Sequence, residues 1–353
     1  MRIRPTFPLV LVLVLVAAAV TLAVQLRKHA PPEPARLLPG ADAFFYVNLG
    51  WARKVNAGKA LPPVSHDPEY EHFIQQTGFE FEKDLDAAAF AVHYPGNWPG
   101  GGTGAAAPEP RFSEVLVGKF HGEKLTAYLK QYAHSVENYN SVDIFTIPVE
   151  QRNIRVAILG VDSVAISNHD DPAVIHGMVD RSRRLASPFG GPALLRKYYK
   201  RVQFASPVWI VAHIQPSAPE FGGWNAVFSA PTDLVISASY NPLHLPLRPE
   251  SLHLRAEALT QTTVDARNIA DKLNVFLALF HSAESSVGKQ GNDADVKAVF
   301  DSLQVRQEET RTILVATIPT SFLRKLLAES PGDVPFPSSP ESSAQPPVPS
   351  KSH

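Results

Sequence analysis

The chain has 353 residues, 44% of them hydrophobic and 19% charged, and its formal net charge at pH 7 is -1. This balance gives no electrostatic basis for nucleic-acid binding, so no nucleic-acid partner is expected. Because the chain has no cysteine, disulfides, thiolate catalysis and cysteine-ligated zinc or iron–sulfur centres are excluded. Its length is enough for one large domain or two ordinary ones.

The N-terminal segment, residues 1–28, is the most informative part of the chain. An uncharged apolar run extends from Phe7 to Leu26, with basic residues on both sides. As a helix rising ~1.5 Å per residue, this run spans roughly 30 Å, the thickness of a bilayer core. It predicts a single transmembrane helix that serves as a signal-anchor in membrane lipid and places the body in the periplasm or outside the cell. A cleaved signal peptide is the alternative, although no clean Ala-x-Ala site follows the run.

Proline-rich sequence flanks the predicted globular body at both ends. Residues 29–36 predict an extended spacer that holds the body off the bilayer. Residues 330–353 are dominated by Pro and Ser and have almost no large apolar side chains. Such a segment buries too little surface to offset its ordering entropy, so this tail is expected to be disordered.

Between these segments, two stretches, 37–185 and 186–329, show the same order of predicted elements. In each, three strands precede an amphipathic helix, and a further strand and helix follow. The corresponding strands are 43–49 and 206–214, 88–94 and 235–240, 114–120 and 252–259, and 155–167 and 312–318. Consecutive strands favour antiparallel pairing with helices on one face. The expected fold is α+β, with two similar antiparallel-sheet-plus-helix halves that can share one continuous sheet. Chance similarity is the alternative to duplication.

Several local motifs approach catalytic or metal-binding signatures without completing them. Gly100–Gly104 lacks the Lys-Ser/Thr of a phosphate-binding loop. Ser286 and Lys289 have the Ser-x-x-Lys spacing of penicillin-binding enzymes but no partner motifs. His66 and His169 lie near acidic residues, yet no His-Glu-x-x-His or His-x-His spacing occurs. No catalytic, cofactor-binding or metal-binding residue is therefore predicted, and no cofactor.

Two tryptophans and one basic cluster are the remaining candidates for contact with other molecules. Trp98 and Trp224 lie in Gly- and Pro-rich stretches, where a tryptophan can anchor a partner or ligand. The alternative is that each loop folds back onto its own core. The basic, aromatic-containing run from Arg196 to Arg201 favours a solvated helix face; contact with lipid head groups or an acidic partner is its alternative.

The first strand of the body carries a family resemblance. Leu37 to Leu49 reads Leu-Leu-Pro-Gly-Ala-Asp-Ala-Phe-Phe-Tyr-Val-Asn-Leu. This resembles a group of uncharacterised bacterial membrane-anchored envelope proteins, which have a membrane segment, a Leu-Pro-x-x-(Asp/Ala)-x-x-x-Tyr-Val strand and a duplicated α+β body. The resemblance extends over the element order of residues 36–328. It implies location and fold, and it implies no site residues because the group has no established activity.

These features favour a non-enzymatic, extracytoplasmic binding or scaffolding domain with an envelope protein as its partner. A membrane-tethered hydrolase is the first alternative, since a site assembled from distant residues leaves no local motif. A purely structural envelope spacer is the second. A deep pocket with a His beside a Ser or carboxylate would favour the hydrolase. A shallow apolar or aromatic groove would favour the binding domain.

Overall fold

The computed structural model describes residues 30–55, 67–94, 109–149, 152–183, 191–216, 226–240, 251–286 and 294–328. Its helices are α1 (Glu33–Leu37), α2 (Leu49–Val55), α3 (Pro68–Thr77), α4 (Phe81–Asp84), α5 (Gly122–Tyr132), α6 (Ala173–Arg183), α7 (Ala193–Tyr198), α8 (Thr263–Ser286), α9 (Ala294–Asp301) and α10 (Thr320–Ala328). Its strands are β1 (Ala43–Asn48), β2 (Leu85–His93), β3 (Arg111–Gly118), β4 (Ser135–Tyr139), β5 (Val142–Val149), β6 (Arg152–Ile158), β7 (Ser163–Ser167), β8 (Val208–Ile214), β9 (Thr232–Ser239), β10 (Ser251–Leu259), β11 (Gln304–Glu308) and β12 (Arg311–Pro319). A 3₁₀ turn, Tyr199–Arg201, follows α7.

The twelve described strands form one antiparallel sheet in the order β11-β12-β10-β9-β8-β1-β2-β3-β7-β6-β5-β4. This confirms the expected α+β class and the continuous sheet. Strands β1 and β8 pair at its centre, where Phe44 lies opposite Val211 and Tyr46 opposite Trp209. The N-terminal strands extend outward from β1 and the C-terminal strands outward from β8. Each of the predicted strands overlaps a strand of the sheet.

Helices α1, α6 and α7 cover one face of the sheet. Phe44 and Trp209 point to this face and belong to a buried cluster that includes Ala35, Met178 and Leu195 from these helices. Helices α5 and α8 lie on the opposite face, where Leu129 belongs to one cluster and Ile269 to another. We call these the α7 face and the α8 face.

The expectation that helices cover only one face of the sheet was therefore wrong. The reason lies in the inner strands, which carry apolar side chains on both sides. In β2, for example, Ala88 and Ala89 point to opposite faces and are both buried, at 1% and 0% exposure. Since successive residues of a strand alternate between faces, a strand that is apolar at every position needs a cover on each side.

The predicted spacer, 29–36, is also corrected by the structure. Its residues 33–36 belong to the helix α1, which has Pro34 in its first turn. Proline fits there because the first turn needs no N–H donor. Ala35 is fully buried and Leu37 is 4% exposed. An extended spacer was therefore wrong for these residues, because their apolar side chains pack into the core.

Two further differences concern the hairpin at 155–167 and strands that were not predicted. The predicted strand 155–167 is a hairpin, β6 and β7, with a turn at 159–162. The hairpin of β4 and β5 was not predicted, nor was the edge strand β11. Most of β4 and β11 is exposed, so their sequences lack the alternation of a half-buried strand. Backbone pairing with an inner neighbour forms them, and Asn140 and Ser141 provide the positive φ angles of the β4–β5 turn.

Candidate functional site

The register of the C-terminal strands aligns a row of mostly polar side chains on the α7 face. The row crosses β8, β9, β10, β12 and β11 in that order, and its members are His213, Asp233, Leu259, Arg311 and Glu308. Directly opposite residues of antiparallel strands have their side chains on the same face. The row therefore places a histidine–carboxylate pair at one end and a charged strand edge at the other. We call it the polar row.

His213 and Asp233 form a hydrogen-bonded pair at the inner end of the polar row. The Nδ1 atom of His213 donates to Oδ1 of Asp233 at 2.7 Å, and the hydroxyl of Tyr198, on α7, donates to Oδ2 of Asp233. Lys197 adds a longer ion pair, with its Nζ 3.8 Å from Oδ2. The carboxylate thus holds the imidazole in one tautomer, as it does in hydrolytic triads.

The contacts of this pair determine the direction of its pKa shifts. The hydrogen bond to Asp233 raises the pKa of His213 and outweighs the effect of burial. Burial opposes ionisation of Asp233, but the hydrogen bonds from His213 and Tyr198 prevail and lower its pKa. The pair is therefore stabilised in its charged form. Among the described residues, no serine or threonine hydroxyl is hydrogen-bonded to His213, so this pair has no nucleophile in contact.

A buried carboxylate, Glu257, lies on the same face of β10 as Leu259 of the polar row, two residues earlier in the strand. Its Oε1 accepts from Nε of Arg255 at 2.8 Å, and its Oε2 accepts from Nη1 of Arg201 at 3.0 Å. Nη1 of Arg311 lies 3.7 Å from the same Oε2. Three guanidinium groups therefore surround one carboxylate that is 3% exposed. This arrangement satisfies a buried charge that would otherwise be costly.

A cavity of about 320 Å³ lies over the outer end of the polar row. Its walls come from the β11–β12 hairpin, the end of β10 and the 3₁₀ turn. The lining residues are Arg201, Leu259, Glu308, Glu309, Thr310 and Arg311. Because charged side chains dominate this lining, the cavity suits a charged or strongly polar group. It differs from the shallow apolar or aromatic groove that would favour a binding domain over a hydrolase.

A second polar cluster is enclosed in the N-terminal half. Nε2 of His93 and Oγ of Ser113 are 3.1 Å apart, and Oγ of Ser167 is 3.0 Å from that of Ser113. The His169 ring lies edge-on to His93, with centroids 5.3 Å apart. Burial, followed by the charge of His169, lowers the pKa of His93 to about 4. His93 and Ser113 are 0% exposed, so this cluster is closed to substrate.

The structure describes only some of the candidate residues that the sequence suggested. Trp98, Trp224, Gly100–Gly104 and Lys289 lie outside the described residues. Ser286 is the last residue of α8 rather than part of a polar turn. In the described part of the chain, no three His, Asp or Glu side chains are grouped as a metal site would require.

The basic run at 196–201 has an inner side that packs on the core and an outer side that faces solvent. Tyr198 is 7% exposed, and Tyr199 packs edge-on against Trp209 with ring centroids 5.3 Å apart. Arg196 and Lys200, by contrast, are exposed. The outer side therefore matches the solvated basic face that the sequence favoured.

Sequence reasoning missed His213, Asp233 and Glu257. One signal was available for His213, which is the single polar residue in the apolar strand Val208–Ile214. Such a residue on a buried strand needs a partner. Most of the partners are supplied by other strands, by α7 and by the 3₁₀ turn, however, and only the tertiary structure identifies them.

No family model matches the chain, and no curated protein matches it. Solved structures of TP0453 are similar to it at 9% sequence identity. Crystal form III has a TM-score of 0.44 over 84% of this chain and 98% of that chain. Crystal form IV has a TM-score of 0.39 over 84% of this chain and 97% of that chain.

Proposed function

We propose that this chain is a single-pass membrane protein whose residues 1–28 form the anchor and whose body lies in the periplasm or outside the cell. The apolar run from Phe7 to Leu26 supports this, because its length matches a bilayer core. That run lies outside the described residues, and no helix within them is long and apolar enough to cross a membrane.

The anchor is tested with the full-length chain and a variant lacking Leu9 to Val24. We expect the full-length chain to stay in the membrane pellet after alkaline carbonate extraction and the variant to be released. We also expect external protease to digest the body in cells whose cytoplasmic membrane is intact. Release of the full-length chain by carbonate, or protection of its body, would contradict the proposal.

We further propose that the body is a non-enzymatic binding or scaffolding domain for an envelope protein. The observation that carries this is the charged cavity over the polar row, where Arg201, Arg311 and Glu308 line a space open at the edge of the sheet. Opposite charges at an accessible site provide orientation and specificity for a charged segment of a protein partner. Trp98 and Trp224 remain proposed contact positions.

In-cell photo-cross-linking of the full-length chain tests this proposal. A photoreactive residue replaces Arg306, which is exposed on β11 and points to the α7 face, or Lys130, which is exposed on α5 across the sheet. We expect one stoichiometric adduct from position 306 and none from position 130. Adducts from both positions, or from neither, would count against the charged cavity as the binding site. Replacement of Trp98 or Trp224 by alanine then tests their part in the adduct.

We also propose that the two halves, 37–185 and 186–329, are a duplication. The mirrored strand order supports it, since β1-β2-β3-β7 and β8-β9-β10-β12 run outward from the central pair in the same sequence. The antiparallel pairing of β1 with β8 is the arrangement expected of two like units related by a two-fold axis.

The membrane-tethered hydrolase has one observation in its favour, the oriented pair of His213 and Asp233. We expect the purified chain to show no turnover of ester, amide or phosphoester substrates. Any turnover lost in the H213Q variant, but kept in a H253Q control, would reverse this preference. The structural-spacer alternative predicts neither turnover nor a cross-linked partner.

A further inference from the structure

We infer that the outer side of α7 and of the 3₁₀ turn after it docks on anionic lipid headgroups of the membrane that holds the anchor. The inference rests on the proposed anchor and adds an orientation for the body. Its first support is local charge. Residues 181–219 contain seven Lys and Arg and no Asp or Glu, in a chain whose totals are 33 basic and 34 acidic residues.

Two basic side chains of this segment are available to an external anion. Arg196 and Lys200 are exposed, and neither forms an ion pair with another residue that the structure describes. The nearby acidic groups are engaged elsewhere: Asp233 accepts from His213 and Tyr198, and Glu257 is surrounded by arginines. Phe204, 59% exposed, follows directly and adds an apolar ring of the kind that inserts at headgroup level.

Chain geometry brings this side of the body to the membrane. Because α1 is part of the core, Pro31 is already buried, and only five residue steps separate it from Leu26. Fully extended, five steps reach about 17 Å, which is about 10 Å beyond the headgroup layer on one side of a bilayer. The body therefore cannot move far from the surface.

The same geometry selects α7 as the docking element. Helix α7 packs beside α1 in one buried cluster that contains Ala35, Leu38, Leu195 and Tyr198. The start of α7 is equally close, since a Cβ on Gly191 would lie 3.3 Å from Cα of Arg36. The basic side of α7 is therefore next to the point where the chain leaves the membrane.

Energy transfer in vesicles containing the full-length chain tests the inference. Because the chain has no cysteine, A193C places one donor dye on α7, and the acceptor is a headgroup-labelled lipid. The vesicles are pure phosphatidylcholine, or contain about one third phosphatidylglycerol. We expect higher transfer in the anionic vesicles, and loss of that difference at about 1 M salt, where the screening length is about 3 Å.

The R196Q/K200Q variant is compared with K119Q/K130Q, which removes two exposed charges near α5. Each basic group at an anionic surface contributes roughly a fivefold preference, so we expect the docked-to-undocked ratio to fall about 25-fold in R196Q/K200Q only. Equal transfer in both vesicle types, or equal loss in both variants, would overturn the docking inference and leave the anchor intact. Failure of the chain to float with vesicles would overturn the anchor and the docking together.

Discussion

At the scale of single residues, Glu257 shows how buried charge is tolerated in this sheet. Its carboxylate is 3% exposed and meets three arginines. Removing its charge leaves Arg201, Arg255 and Arg311 facing one another without compensation. We expect E257Q to lower the free energy of unfolding by about 1–3 kcal/mol, as for loss of one partner from a charged hydrogen bond.

Guanidinium denaturation of the full-length chain in detergent micelles measures this loss. The matched control is E308Q, because Glu308 pairs with Arg311 at an exposed strand edge. An exposed pair contributes only about 0–1 kcal/mol, so E308Q should change little. Equal losses in the two variants would show that burial does not govern the role of Glu257.

His93 should make the protein sensitive to acid. Its pKa is about 4 in the fold and about 6.5 in the unfolded chain, so the unfolded chain binds more protons between these values. Stability from His93 is therefore full above pH 6.5 and is lost as the pH falls towards 4, by about 3 kcal/mol in total. We expect H93Q to flatten this part of the stability profile.

His213 should show the opposite dependence. The hydrogen bond to Asp233 raises its pKa in the fold, so its stabilising effect is present below the unfolded value and is lost as the pH rises through the folded one. We expect the destabilisation by H213Q to be largest below the unfolded histidine pKa of about 6.5 and to shrink in alkaline solution. Parallel profiles for H93Q and H213Q would contradict the assigned environments.

At the scale of elements, the close approach of β2 and β3 depends on one glycine. A Cβ on Gly118 would lie 2.5 Å from the backbone oxygen of Asp84 and 3.1 Å from Cα of Leu85. Both are backbone atoms beside the register shift between Leu85 and Ala87, so the contact cannot be relieved by a rotamer change. The sheet would have to open at this point.

We therefore expect G118A to destabilise the protein by about 1–3 kcal/mol, the usual cost of overpacking. The matched control is G122A in the first turn of α5, where a Cβ would meet nothing within 4 Å. This control should lose no stability, because alanine favours a helix over glycine. Thermal unfolding monitored by circular dichroism distinguishes the two, and an unchanged G118A midpoint would refute the tight approach.

At the scale of the whole molecule, the central pair β1–β8 joins the halves into one sheet. Phe44 is fully buried there, opposite Val211 and in the same cluster as Trp209. We expect F44A to cost about 3–5 kcal/mol and to shift the unfolding of both halves equally, since neither can lose the pair alone. Hydrogen exchange of β3 and β10 provides a separate readout for each half.

The control for this variant is F112A, because Phe112 lies on β3 and is 40% exposed. It should cost less than F44A. If exchange in β3 and β10 responded by different amounts to F44A, the halves would be separate folding units despite their shared sheet.

Much of this fold could be predicted from sequence, and the errors have a common cause. Apolar periodicity correctly placed the inner strands, such as Ala43–Asn48, because an inner strand buries its own side chains. It missed β4 and β11, whose exposed side chains carry no such pattern and which form through backbone pairing. The spacer was misjudged because proline-rich composition was taken to mean an extended chain, whereas Pro34 stands in the first turn of a buried helix.

The sequence by itself determined the α+β class and the lack of thiol chemistry, because these depend on composition and on local periodicity. It also led to the proposal of an anchor at residues 1–28. Only the tertiary structure decided which face each helix covers and which distant residues meet. His213 meets Asp233 across two strands, and Glu257 meets Arg311 on β12 and Arg201 in the 3₁₀ turn. Their proximity follows from antiparallel register, and a shift of one residue would have turned each of them to the other face of the sheet.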